Sequence, residues 1–213
     1  MEGVNWSIGG KTDRIKLRGF TCCPGCRAEI VRHPQDRRPC TTPWAHEVQS
    51  YFREHAIADT NGKSRSCDQR LLLLHDVEDL VGAAVHSSTR HSRGTSAVFE
   101  RRLEAYATAS SRHGQRLSNS EYASQALLKA VITDIGTRHD PNDEVFLTAF
   151  VLPENTASQR CLERHAWVQR KSPCNELLLY AVRLDVAQRA HVITRPNVST
   201  EVLEEPAREP DKL

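Results

Sequence analysis

Residues 151–167 read VLPENTASQRCLERHAW, and they join an extended run to a helix. The preceding stretch, EVFLTAFVL (144–152), is apolar and rich in strand-forming residues, so it is expected to be a strand. Pro153 closes that strand because a proline cannot donate to a sheet ladder. Asn155 then stands where its side-chain oxygen can accept an N–H from the first turn of a helix running to about residue 165. Taken locally, Asn155 is a helix cap. Whether it also touches a ligand depends on what surrounds it.

Upstream, SNSEYASQALLKAVITDIGTR (118–138) predicts a helix with Leu127, Leu128, Val131, Ile132 and Ile135 as its apolar stripe. Ser118 and Glu121 have the spacing of a capping box, which puts the helix start there. Before it, AVFERRLEAYATASS (97–111) sets Leu103, Ala105, Ala107 and Ala109 in alternation with Glu104, Tyr106 and Thr108. That period of two predicts a strand with two distinct faces, Glu104 and Tyr106 sharing one of them. LLLLH (71–75) and LVGAAVHSS (80–88) predict a hairpin around the turn DVED, followed by the loop TRHSRGTS. PWAHEVQSYFREHAIADT (43–60) has Val48, Tyr51, Phe52 and His55 at helical spacing, with Trp44 near its start. Downstream, WVQRK and ELLLYAVRL (176–184) predict two strands joined by a turn at Pro173, Cys174 and Asn175. The order is helix, hairpin, strand, helix, strand, helix, hairpin, which predicts one mixed α/β sheet domain.

The 213 residues carry 29 basic and 27 acidic side chains, a formal net charge of +2 that does not indicate nucleic acid as a main partner. No apolar run reaches the roughly 18 residues of a membrane span, and MEGVNWSIGGKTDR has no basic region followed by an apolar stretch. A cytoplasmic protein is expected. Its seven cysteines, an odd number, would then be mostly reduced.

The connection SSRHGQRLSNSE (110–121) carries the main chemical signal. Gly114 permits a tight turn and close approach of a ligand to the backbone. A strand feeding a glycine turn and a fresh helix N-terminus offers free N–H groups and a positive dipole end, a combination that binds phosphate. Arg112 and Arg116 add charge for a pyrophosphate or a 3′-phosphate. An ordinary strand-to-helix connection with a solvated basic turn accounts for the same residues.

Together and in this order, the two units resemble the GCN5-related N-acetyltransferase (GNAT) family. The family has an arginine- and glycine-rich acyl-CoA loop after its fourth strand, then a helix, a fifth strand and a segment V-x-P-x-N-x-x-A-x-x-L-Y-E-x-x-G-F. Val151, Pro153, Asn155, Ser158, Cys161, Leu162, Glu163, Ala166 and Trp167 occupy those positions, and ELLLYAVRL is similar to the family's final strand. The resemblance covers roughly residues 43–184. It implies a mixed, twisted central sheet flanked by helices over 43–186; composition makes residues 1–42 an irregular, cysteine-bearing extension and 187–213 a polar tail expected to be largely disordered. The resemblance also implies acetyl-CoA as co-substrate, held by splayed strands through Thr108 and Ala109, by the loop Arg112, His113, Gly114, Gln115, Arg116, Leu117 and Ser118, and by Asn155. An amine acceptor then meets the thioester, with Glu104 as base and Tyr106 as donor to the leaving thiolate. Two departures stand out: only the middle glycine of the phosphate loop is present, and Leu162 occupies the position of the tyrosine that often protonates CoA.

Those departures keep a second reading open, a catalytically weakened CoA- or protein-binding module. A third, a zinc-bearing interaction protein, rests on Cys22, Cys23, Cys26, Cys40 and His46. Zinc is not favoured because no second tight ligand pair follows, and no metal ligand is assigned. Small amines, antibiotics, peptide N-termini, lysine and aminoacyl-tRNA all remain as acceptors, and a homodimer is compatible with the sequence.

Overall fold

The computed structural model describes residues 3–9, 13, 17, 20–22, 43–54, 68–93, 96–174 and 176–193. Seven strands form one sheet in the order β1-β2-β3-β4-β5-β7-β6. They are β1 (Val4–Ile8), β2 (Arg70–Asp76), β3 (Asp79–Arg93), β4 (Ser96–Thr108), β5 (Glu144–Val151), β6 (Val168–Arg170) and β7 (Leu178–Arg183). Among the described residues only β4 and β5 pair in parallel, and helix α2 (Ala123–Gly136) is their crossover. The remaining helices are α1 (Pro43–Glu54), α3 (Thr156–Arg164) and α4 (Leu184–Ile193).

β2 shows why the sheet is central. Its four consecutive leucines are all buried because the sheet is covered on both faces. Leu72 and Leu74 enter the core beneath α2, beside Leu127 and Val131. Leu71 and Leu73 enter a second core with Phe20 and Phe52 of the N-terminal region and α1. Burying each such side chain contributes roughly 1.5–3 kcal/mol. Phe20 and Phe52 meet edge-to-face with ring centroids 5.9 Å apart.

Polar groups also lie under α2. The Asp134 carboxylate accepts from Arg70 at 3.1 Å and from the His86 Nε2–H at 3.0 Å. Burial opposes ionisation of Asp134, but the hydrogen bonds from His86 and Arg70 outweigh it and hold the carboxyl below its usual range. Burial likewise keeps His86 below the ordinary histidine value. Next to this pair, Arg101 donates to Asp68 at 2.7 Å and to His139 at 3.0 Å.

Four expectations need correction. The N-terminal extension is not irregular throughout, since β1 pairs antiparallel with β2. TRHSRGTS is not simply a loop: β3 continues to Arg93 and β4 starts at Ser96, so that polar stretch extends a long hairpin whose backbone bonds do not require apolar side chains. Helix α2 begins at Ala123 rather than Ser118, because residues 116–122 fold into a small hairpin first. The chain beyond 187 continues as helix α4, which packs on α2, β5 and β7 and buries Ala187. Residues 194–213 of the expected tail lie outside the described residues, as do Cys23, Cys26 and Cys40 of the cysteine-rich segment.

Candidate functional site

The site begins where β4 leaves β5. Their parallel pairing runs from Val98 opposite Glu144 to Leu103 opposite Ala149 and then stops, although β4 continues to Thr108. A β-bulge marks this point. Val85 pairs with Ala105 and His86 with Leu103, which leaves Glu104 as the extra residue. The bulge changes the phase of the strand. Leu103 belongs to the core under α2, whereas Ala105 and Ala107 belong to the core on the α1 side. The expected regular alternation therefore fails at Glu104. Tyr106 points to the α2 side, while Glu104 is exposed on the other side and accepts from the buried Ser87 hydroxyl at 2.5 Å. The two residues expected to share one face stand on opposite faces.

Two adjacent chambers of about 620 and 190 Å³ lie along this divergence. Both are lined by Tyr106, Asn155, Ser158 and Cys161. Tyr106, Thr108, Arg112, His113, Gly114, Gln115 and Asn155 line the larger chamber, and Glu104 lines the smaller one. Four residues assigned to the cofactor line neither chamber. Ala109 is buried in the α1-side core, and its N–H is spent on the Val81 carbonyl. Leu117 is buried in the α2-side core. The Ser118 N–H donates to Asp76. Arg116 lies over the Tyr122 ring, 4.8 Å from its centroid, and donates to the Ser120 carbonyl.

The loop itself is a single 3₁₀ turn, Ser110–Arg112, followed by Gly114 at φ +71°. That left-handed conformation suits glycine, and no atom lies within 4 Å of the place a Cβ would occupy. Arg112 is committed to acidic neighbours, 3.0 Å from Asp79 and 3.9 Å from Asp76. The α2 N-terminus has no side-chain cap. Ala123 and Ser124 of its first turn, whose N–H groups lack acceptors within the helix, line the larger chamber.

α3 forms the opposite wall. The Asn155 side chain accepts from the Ser158 N–H at 3.1 Å, so the expected cap is present. Leu162 is buried in the α2-side core and reaches the small chamber with a hydrocarbon surface. Beside it, the Cys161 sulfur lies 3.5 Å from the Tyr106 hydroxyl, which donates to the Ser124 carbonyl. Burial, reinforced by the neighbouring thiol, keeps the Tyr106 phenol protonated well above its ordinary range. Burial also pushes the Cys161 thiol up.

Several lining residues escaped the sequence reading. Cys22 and Ala45 reach the cleft through tertiary packing alone, and Cys22 is tied to α1 by its N–H to Gln49 at 3.0 Å. Arg164 had a legible signal. It follows Ala157 and Cys161 on one stripe of α3, all three facing the larger chamber, and it forms no ion pair among the described residues. With Arg112 and Arg116 engaged elsewhere, Arg164 is the arginine best placed to meet a phosphate. Arg164→Gln is expected to weaken CoA about fivefold and 3′-dephospho-CoA by less than twofold, as measured by calorimetry, if it meets the 3′-phosphate.

No family model matches the chain, and no curated protein matches it in sequence. Solved structures match its fold. A variant of the toxin AtaT, bound to acetyl-CoA and the C-terminus of the antitoxin AtaR, is 10% identical with a TM-score of 0.56, over 91% of this chain and 100% of that one. The PaiA N-acetyltransferase of Thermoplasma acidophilum in complex with coenzyme A is 8% identical with a TM-score of 0.54, over 85% of this chain and 99% of that one. An acetyltransferase of the GNAT family from Staphylococcus aureus is 12% identical with a TM-score of 0.51, over 85% and 99%. The chain has the GNAT acetyltransferase fold.

Proposed function

We propose that this protein transfers an acetyl group from acetyl-CoA to an amine. The observation that carries the reading is the divergence of β4 from β5 over a two-chambered cleft, with an open helix N-terminus and the Gly114 loop on one side. The GNAT fold shared with acetyl-CoA- and CoA-bound proteins supports it. Backbone groups of β4 beyond Leu103, released from β5, are free to hold the pantetheine arm in strand fashion. First-turn N–H groups of α2 and the Gly114 loop receive the pyrophosphate. Asn155 caps α3 at the chamber junction and contacts the arm there.

Catalysis in this reading is chiefly positioning. Glu104 takes a proton from the incoming ammonium, directly or through one water. The Tyr106 hydroxyl, protonated at neutral pH, turns from the Ser124 carbonyl to donate to the departing sulfur. It thereby substitutes for a tyrosine at position 162. The unbridged thiols of Cys161 and Cys174 fit a cytoplasmic setting.

Calorimetry with acetyl-CoA tests the proposal. Binding by the wild type is expected, and Gly114→Trp is expected to weaken it at least about tenfold, by blocking the chamber and straining a left-handed backbone position. No binding at high micromolar acetyl-CoA would reject the proposal. A catalytically silent CoA-binding protein is the second reading, favoured by the burial of Leu162 in the core. Release of free thiol with an amine separates the two.

A further inference from the structure

The two chambers carry opposite charge. Among the described residues, Arg112, His113 and Arg164 line the larger one and no carboxylate does. Glu47 of α1 and Glu104 of the bulge line the smaller one, where no lysine, arginine or histidine stands among the described residues. Val48, Leu103, Phe150 and Leu177 give the same chamber a hydrocarbon part of its wall. The chambers are neighbours that share Val48, Tyr106, Asn155, Ser158 and Cys161 as walls.

Resting on the acetyl-transfer reading above, we propose that the smaller chamber is the acceptor site and takes a cationic aliphatic primary amine, a diamine or a lysyl-type chain. An alkyl stem matches the apolar wall. A chamber of about 190 Å³ admits a chain end rather than a folded or polycyclic molecule. The carboxylates attract positive charge and repel an amine that carries its own carboxylate or phosphate.

The two glutamates divide the work. An aliphatic amine arrives as ammonium at neutral pH and must lose a proton before it can attack. The Ser87 hydroxyl holds one oxygen of Glu104 at 2.5 Å and leaves the other to accept that proton. The freed nitrogen lone pair forms a C–N bond to the thioester carbonyl carbon. The nitrogen of the tetrahedral adduct gives its second proton to solvent, the C–S bond breaks, and its electron pair leaves on sulfur, which takes a proton from Tyr106 or solvent. The products are an amide, a free thiol and one proton released to water. Glu104 is neutral once it holds the proton, whereas Glu47 stays charged and holds a second cationic group on the acceptor.

The test uses the full chain, saturating acetyl-CoA and thiol release with 1,4-diaminobutane, Nα-acetyl-lysine amide and β-alanine. Both cationic probes are expected to be acetylated, with KM at least about tenfold below that of β-alanine. Glu47→Lys is expected to raise KM for the diamine about tenfold, Glu47→Gln less, and neither to change CoA affinity. Glu47 is exposed, so both variants are expected to fold. A preference for β-alanine, a diamine KM unmoved by Glu47→Lys, or CoA binding without acetylation of either cationic probe would each overturn the assignment. Absence of CoA binding in the wild type is a different result, since it removes the acetyl-transfer reading itself.

Discussion

Glu104→Gln is expected to lower kcat by about a hundredfold or more while leaving acetyl-CoA affinity within about twofold, because a positioned general base contributes roughly 10²–10⁴ in rate. Glutamine keeps the size of the side chain and still accepts from Ser87, so the bulge and the chamber persist. Only the capacity to take a proton is lost. Thiol release at saturating amine reads the effect. The defect should shrink as pH rises and a growing fraction of the amine arrives already neutral, a trend that a purely structural lesion would not show. A variant with kcat within about threefold of the wild type at neutral pH would remove Glu104 from the mechanism.

Asp134→Ala is expected to destabilise the fold by about 3 kcal/mol, since removing one partner from a buried ionic group strands the rest. Asp134 is the acceptor for both Arg70 and His86, and the His86 ring is fully buried with its Nδ1 unpartnered among the described residues. For a chain of this length the loss corresponds to a fall in Tm of about 6–12 °C. Thermal unfolding by circular dichroism measures it. A shift below about 2 °C would mean that water or rearranged neighbours satisfy Arg70 and His86 instead.

Much of the fold was legible because its signals are local. The leucine run of β2, the apolar stripe of α2 and the Pro153–Asn155 junction each report through neighbouring residues, and all three form as expected. Two short elements at the ends of the domain were not legible. β1 and α4 are stabilised by the surfaces they cover, which no window of their own sequence contains. The same limit applies within the site. Gly114 and Asn155 line the cleft as their local chemistry suggests, but Arg112 is diverted by Asp76 and Asp79, more than thirty residues away. Arg116 and Ser118 are displaced by a hairpin that begins with the pairing of Arg116 and Tyr122. Glu47 could not have been assigned from sequence, since only the packing of α1 brings it opposite the bulge.

The bulge at Glu104 also governs how this chain tolerates changes of length. Side chains in a strand alternate by parity, so one added or deleted residue turns every later one to the other side of the sheet. Glu104 is the exception, because it is the residue without an opposite number. Its deletion makes Ala105 follow Leu103 and leaves Ala105, Tyr106 and Ala107 on their present faces and opposite their present partners. A deletion between Ala105 and Thr108 has no such slack, and turns the later side chains and the approach to Gly114 over. The one position that the sheet can spare is therefore the one that supplies a carboxylate to the smaller chamber, so a homologue lacking it would keep the frame of the cleft and lose that charge.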